Sequence, residues 1–119
     1  MNELPEEGNV RFDDAQFILV FTTVANEQDA CQLAEFVVAH RLAACVQIDQ
    51  PVQSFYHWKG QVQRESEYRL AIKTTQDRFP DLHEAILGQH PYEFPEVIAL
   101  PILAGHTAYL KWIAEEVRS

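Results

Sequence analysis

Two long arms of alternating character lie at the centre of the chain, between Ala44 and Thr75. On the first, Val46 and Ile48 alternate with Gln47 and Asp49. Then Val52, Ser54, Tyr56 and Trp58 share one face while Gln53, Phe55 and His57 share the other, a period of two that belongs to extended chain. On the second, Tyr68, Leu70 and Ile72 alternate with Arg69, Ala71 and Lys73. Trp58-Lys59-Gly60 marks the turn between them, with Gly60 supplying the positive backbone angle that a tight hairpin needs. Each arm is about twice the usual strand length of roughly 5–6 residues. A ribbon that long cannot bury itself, because a small sheet and its helices cover only the half nearest the core. Phe55, Tyr56 and Trp58 are therefore expected near an exposed tip, and a second copy of the chain is the economical cover. Pro51 removes a ladder donor from the outgoing arm, which predicts a bulge or bend there.

The flanking segments supply the body. Gln16 to Val24 is a nearly continuous run of branched and aromatic residues, read as a central strand buried on both faces. Asn26 is placed to cap a helix, with Asp29 three positions on. Ala30, Leu33, Ala34, Val37 and Val38 follow helical spacing, which predicts a helix over 27–41. Asp77 and Pro80 suit the first turn of a second helix carrying Phe79, Leu82, Ala85 and Ile86, ended by Gly88 and Pro91. A loop stiffened by Pro91 and Pro95 leads into Val97–Ile102, a second buried strand. Tyr109, Leu110, Ile113, Ala114 and Val117 mark a last helix, capped near Thr107. This order predicts an α+β, ferredoxin-like sandwich: an antiparallel sheet with a long central hairpin, two helices on one face and an added C-terminal helix.

Composition narrows the function. Five acids against Arg11 in residues 1–14 suggest an acidic, flexible leader before one domain over 15–119, and they hold nearly half of the formal charge of −9. The remaining Lys and Arg are scattered, which argues against nucleic acid or a membrane surface as partner. Without a signal-like or membrane-spanning run, the cytoplasm is the expected location. Cys31 and Cys45 form no disulfide framework, and there is neither a nucleophile set beside a base nor a phosphate loop, so an enzyme is not expected.

Leu42-Ala43-Ala44-Cys45, Tyr56-His57-Trp58-Lys59-Gly60, Glu65-Ser66-Glu67, Lys73-Thr74-Thr75 and His90-Pro91-Tyr92-Glu93-Phe94-Pro95-Glu96, in that order and spacing, resemble the CutA divalent-cation tolerance proteins. The likeness runs from about Phe17 to Arg118. It implies a ferredoxin-like fold, a homotrimer built through the hairpins, and a cytoplasmic, non-enzymatic role tied to copper and other divalent metals. No metal is expected to be needed for folding. In some members of that family the histidine at the position of His90 helps bind copper, with a second histidine just before it and a cysteine at the end of the first strand. Those positions here hold Gln89 and Thr22.

His90 is thus a candidate metal ligand, or alternatively a cap on the preceding helix. Cys45 is a candidate soft ligand or a small buried hydrophobe, and Cys31 a weaker case of the same kind. His57, His83 and His106 have no ligand spacing. Glu65 and Glu67 share a strand face with Arg69 and Lys73, which suggests an interface ion-pair network. The other reading is a pocket between subunits, with Lys73, Thr75, Tyr92 and Glu96 in its lining, for a small anionic or metal-linked ligand. Phe55, Tyr56 and Trp58 are the expected trimer contacts. The alternatives to a metal-tolerance trimer are a small-molecule sensor resembling nitrogen-regulatory trimers and a structural trimer without ligand.

Overall fold

The computed structural model of the protein describes residues 16–118, so the acidic leader lies outside the described residues. Five strands and three helices follow one another as β1 (Phe17–Val24), α1 (Glu27–Ala39), β2 (Cys45–Ile48), β3 (Val52–Trp58), β4 (Gln61–Thr75), α2 (Phe79–Gln89), β5 (Ile98–Pro101) and α3 (Thr107–Glu116). A single 3-10 turn, Gln76–Arg78, leads into α2. The sheet is antiparallel, in the order β2-β4-β1-β5, with β3 continuing the β2 edge along the outer half of β4. This is the ferredoxin-like α+β plan that the order of patterns predicts.

Alternation along β1 and β4 places Ile18, Val20, Leu70 and Ile72 on one face of the sheet. These four, with Leu33 and Val37 of α1 and Leu82 and Ile86 of α2, form the dry core. Each such side chain contributes about 1.5–3 kcal/mol on leaving water. On the opposite face Phe17, Leu19 and Phe21 are only half-buried, so β1 is fully buried on one side, not both. The last strand departs further from expectation. Ile98 and Leu100 remain 50% and 43% exposed, because β5 is a short edge strand with no outer neighbour among the described residues. Pro101 fits that edge position, where no ladder donor is required.

Helix ends follow local chemistry. The Asn26 side chain accepts a 2.8 Å hydrogen bond from the Asp29 amide, as its position predicts. The helix stops two residues earlier than its apolar spacing suggests, because Arg41 turns left-handed at φ 59°. Leu42 and Arg41 then return their amides to Val37 and Val38 at 2.9 and 3.0 Å, a Schellman closure. His106, not Thr107, precedes the first turn of α3 and provides no side-chain cap.

The hairpin is where the chain leaves its own body. Asp49, Gln50 and Pro51 stand opposite only Tyr68 and Arg69, so the outgoing arm carries the expected bulge. The Asp49 amide donates to the Arg69 carbonyl at 2.9 Å, and its carboxylate meets the Arg69 guanidinium at 2.8 Å, which holds the extra residue in place. Beyond it, the seven rungs from Val52–Glu67 to Trp58–Gln61 have no third strand, since β1 ends opposite Tyr68. At the tip both Lys59 (φ 53°) and Gly60 (φ 80°) are left-handed, as a two-residue turn of the primed kind requires.

Replacing Asn26 by Ala should lower stability by about 1 kcal/mol in urea unfolding, through loss of the α1 cap. An unchanged midpoint would show that the Asp29 amide finds water equally well.

Candidate functional site

The ribbon register sorts its side chains into two sets. Val52, Ser54, Tyr56 and Trp58 pair with Glu67, Glu65, Gln63 and Gln61 on one face. The loop from His90 to Glu96 returns beside that face and closes an open cleft of about 790 Å³, in whose lining Tyr56, Trp58, Glu65, Glu67, Tyr92 and Glu96 lie together. Glu67 is the most enclosed acid there, at 8% exposure. The Tyr92 hydroxyl donates to its Oε2 at 2.8 Å. Burial first, then this bond to Glu67 and the neighbouring Glu65, push the Tyr92 phenol well above its ordinary pKa. Burial, Glu65 and Glu67 raise the Tyr56 phenol in the same order. Both hydroxyls therefore stay protonated and able to donate.

His90 holds that loop to the sheet. Its Nε2 lies 2.7 Å from the Thr23 carbonyl, and its Nδ1 lies 3.1 Å from the Tyr92 amide. An amide N–H can only donate, so Nδ1 accepts and the proton sits on Nε2, which donates to Thr23. The ring does not cap its own helix; its backbone amide does that, donating to the Ile86 carbonyl at 2.9 Å. Burial lowers the His90 pKa, against the smaller opposing pulls of the Thr23 carbonyl, Glu67 and Asp29. Neutral His90, Tyr92 and Glu67 thus form one hydrogen-bonded path from the end of β1 into the cleft.

That geometry bears directly on metal. Both ring nitrogens of His90 are engaged, so neither offers a free lone pair. Thr22 has its hydroxyl buried with no partner among the described residues, and Gln89 is exposed. Cys45 is half-buried where β2 begins, opposite Lys73, while Cys31 is exposed on α1. Among the described residues no group of three or more His, Cys, Asp or Glu is placed to hold a metal ion. A single copy of the chain therefore does not present a ready copper site at His90 or Cys45.

The second constellation divides. Glu65, Glu67, Tyr92 and Glu96 come together, whereas Lys73 and Thr75 belong elsewhere. Lys73 Nζ reaches the Tyr109 hydroxyl at 3.4 Å and lies over its ring, and Thr75 donates to Asp77. Arg69 is taken by Asp49 and by the Phe21 ring, so the expected network of Glu65 and Glu67 with Arg69 and Lys73 is not formed within one chain. The cleft adds Glu93, Phe94 and Thr23, which sequence reasoning passed over as site residues. Glu93 and Phe94 stand in the same quoted loop string, and that was the available signal. With four carboxylates and no Lys or Arg in its lining, the cleft suits a cationic group; of the anionic or metal-linked ligand expected of it, its charge favours the second.

Fold and cleft together define a ferredoxin-like domain whose central hairpin outgrows its sheet and turns an acidic, aromatic face toward a proline-stiffened loop. Residues 18–116 match the CutA1 divalent ion tolerance protein family, and the chain belongs to it. It is 43% identical over 97 residues to the divalent-cation tolerance protein CutA of Thermus thermophilus, covering 82% of this chain and 94% of that one. It is also 43% identical over 102 residues to the chloroplastic protein CutA of Arabidopsis thaliana, covering 86% of this chain but only 56% of that longer relative. The crystal structure of CutA1 from Shewanella sp. SIB1 superposes with a TM-score of 0.86 at 38% identity, over 88% of this chain and 98% of that one. Membership associates the chain with tolerance of divalent ions. No helix among the described residues is long and apolar enough to cross a membrane.

Two outcomes follow from the His90–Tyr92–Glu67 path. The folded His90 pKa lies below the ordinary value of about 6.5, so the unfolded chain takes up the proton first as pH falls. Its contribution to stability is then complete above about pH 6.5 and declines below it, down to the folded pKa. Urea unfolding between pH 8 and 5 should show this decline in the wild type and a shallower one in His90→Gln; identical slopes would exclude His90 as the source. Tyr92→Phe should cost about 1–3 kcal/mol, because it leaves the enclosed Glu67 carboxylate without its donor.

Proposed function

We propose that this protein is a non-enzymatic homotrimer that serves tolerance of divalent metal ions, copper among them, in the cytoplasm. The observation that carries the trimer is the uncovered ribbon: Phe55 and Val62 are 64% and 66% exposed as diagonal neighbours on one of its faces, and Trp58 is 49% exposed on the other. Exposed apolar surface of that kind marks an interaction site. The same need is repeated on the open sheet face by Ile98 and Leu100, at an unpaired edge. Helices α1 and α2 already bury their apolar stripes against the opposite face, and nothing among the described residues is left to cover the hairpin.

Divalent ions are the cargo in this reading, with family membership as its support. Copper could reach His90 only by displacing the Tyr92 amide from Nδ1, and would then find one imidazole per chain. Three copies of His90 and of Cys45, brought near one another, are what assembly adds to the donor set. Capture by His90 is accordingly weak and coupled to movement of the 90–96 loop. The absence of a nucleophile beside a base in any sequence motif supports a binding role over catalysis.

Light scattering should give a mass near three times the 13.7 kDa of one chain at micromolar concentration. A single-chain mass with native circular dichroism would remove the trimer. Calorimetry with Cu²⁺ on tag-free protein should show saturable heat that falls at least about tenfold in affinity in His90→Ala. Identical heats in the two proteins would remove His90 from the metal reading.

A further inference from the structure

The two faces of the β3–β4 ribbon carry opposite charge. Glu65 and Glu67 lie on the face of Tyr56 and Trp58, while Arg64 lies on the other, with Phe55, His57 and Val62. That second face carries no acid: its remaining members are Gln53 and Ser66. Arg64 donates to the Gln53 side chain at 3.2 Å and rests over the Phe55 ring, 5.8 Å from its centre. The ion pairs among the described residues join Arg41 to Glu116, Arg69 to Asp49 and Arg78 to Asp81, so Arg64 has no carboxylate and Glu65, Glu93 and Glu96 have no cation.

Within one chain these charges cannot meet. Side chains of successive residues leave a strand in opposite directions, and a ribbon is one layer thick. Arg64 and Glu65 are neighbours in sequence yet face away from each other. We propose that the basic face of one copy's hairpin seats against the acidic cleft of the next, so that Arg64 of the first is received among Glu65, Glu67 and Glu96 of the second. Phe55 and Val62, at 64% and 66% exposure, form the apolar surround of that contact, and Tyr56 and Trp58 form its floor. Such a contact joins two different surfaces, so it propagates from copy to copy and ends only when a ring closes. It rests on the trimer reading, with three as the number of copies that closes the ring. The cleft is then a socket for the neighbouring subunit and is incomplete in a lone chain. A desolvated arginine among carboxylates and aromatic rings is a strong, orientation-specific anchor.

Subunit exchange between isotope-labelled and unlabelled full-length protein, followed by native mass spectrometry, tests the pairing. Arg64→Glu should speed exchange at least about tenfold, and so should the pair Glu65→Lys with Glu96→Lys. The triple variant restores opposite charges across the contact, and it should exchange within about threefold of wild type. Its recovery would also show that the single variants had not merely misfolded. Exchange of Arg64→Glu at the wild-type rate, or a triple variant as fast as its parents, would overturn the proposal while leaving a wild-type trimer mass, and hence the trimer reading, intact. A wild-type mass of one chain would overturn both.

Discussion

A two-stranded ribbon that outgrows its sheet is the constraint from which the rest of the molecule takes its character. Strand β4 runs for 15 residues, and β1 covers only its second half. Within the body, two helices seal one face of the sheet with branched side chains at no exposure. Past Tyr68 the same strand has only β3 beside it, and β3 carries the exposed rings of Phe55, Tyr56 and Trp58. Burial of apolar surface is the dominant favourable term in folding and association, so the design is coherent only if part of that burial is completed outside the chain.

The bulge at Asp49–Pro51 gives that ribbon its chemistry. Side-chain direction reverses with every residue, so one extra residue exchanges the faces of everything beyond it. Before the bulge, odd-numbered Cys45 and Gln47 pair with the open-face residues Lys73 and Ala71; after it, even-numbered Ser54, Tyr56 and Trp58 share a face with the glutamates. The Asp49–Arg69 pair, although half-exposed and worth little by itself, marks the place where that exchange is locked. Aromatic rings and carboxylates then line one cleft, while Arg64 is turned to the far side.

A buried carboxylate on an open sheet face is unusual, and its support comes from segments distant in sequence. Glu67 is held by Tyr92, whose amide is held by His90, whose ring is held by the Thr23 carbonyl. The histidine that the resemblance suggests as a metal ligand is, in this chain, the joint between the core and the cleft. Thr22 and Gln89 agree with that role better than with coordination, since neither is a transition-metal donor of the kind a thiolate or imidazole provides.

What the residues by themselves determined was local. Alternation along 44–75, the Asn26 cap, the Lys59-Gly60 turn and the bulge at Pro51 depend on neighbours within a few positions, and all are legible in order and place. The overlong hairpin and its need for cover belong to the same level, because strand length and apolar periodicity are written directly in the chain. Contacts between distant segments were not legible. His90 meets Thr23 across 67 positions and Tyr92 meets Glu67 across 25, and nothing in either stretch specifies the other. Within one chain Lys73 and Thr75 stand apart from the cleft for the same reason: they share a face with Glu67, but Lys73 meets Tyr109 of α3 and the returning loop lines the other end of that face. Only tertiary packing decided which loop lay against which end of the open face, because periodicity states which side a residue points to and leaves unstated what waits there.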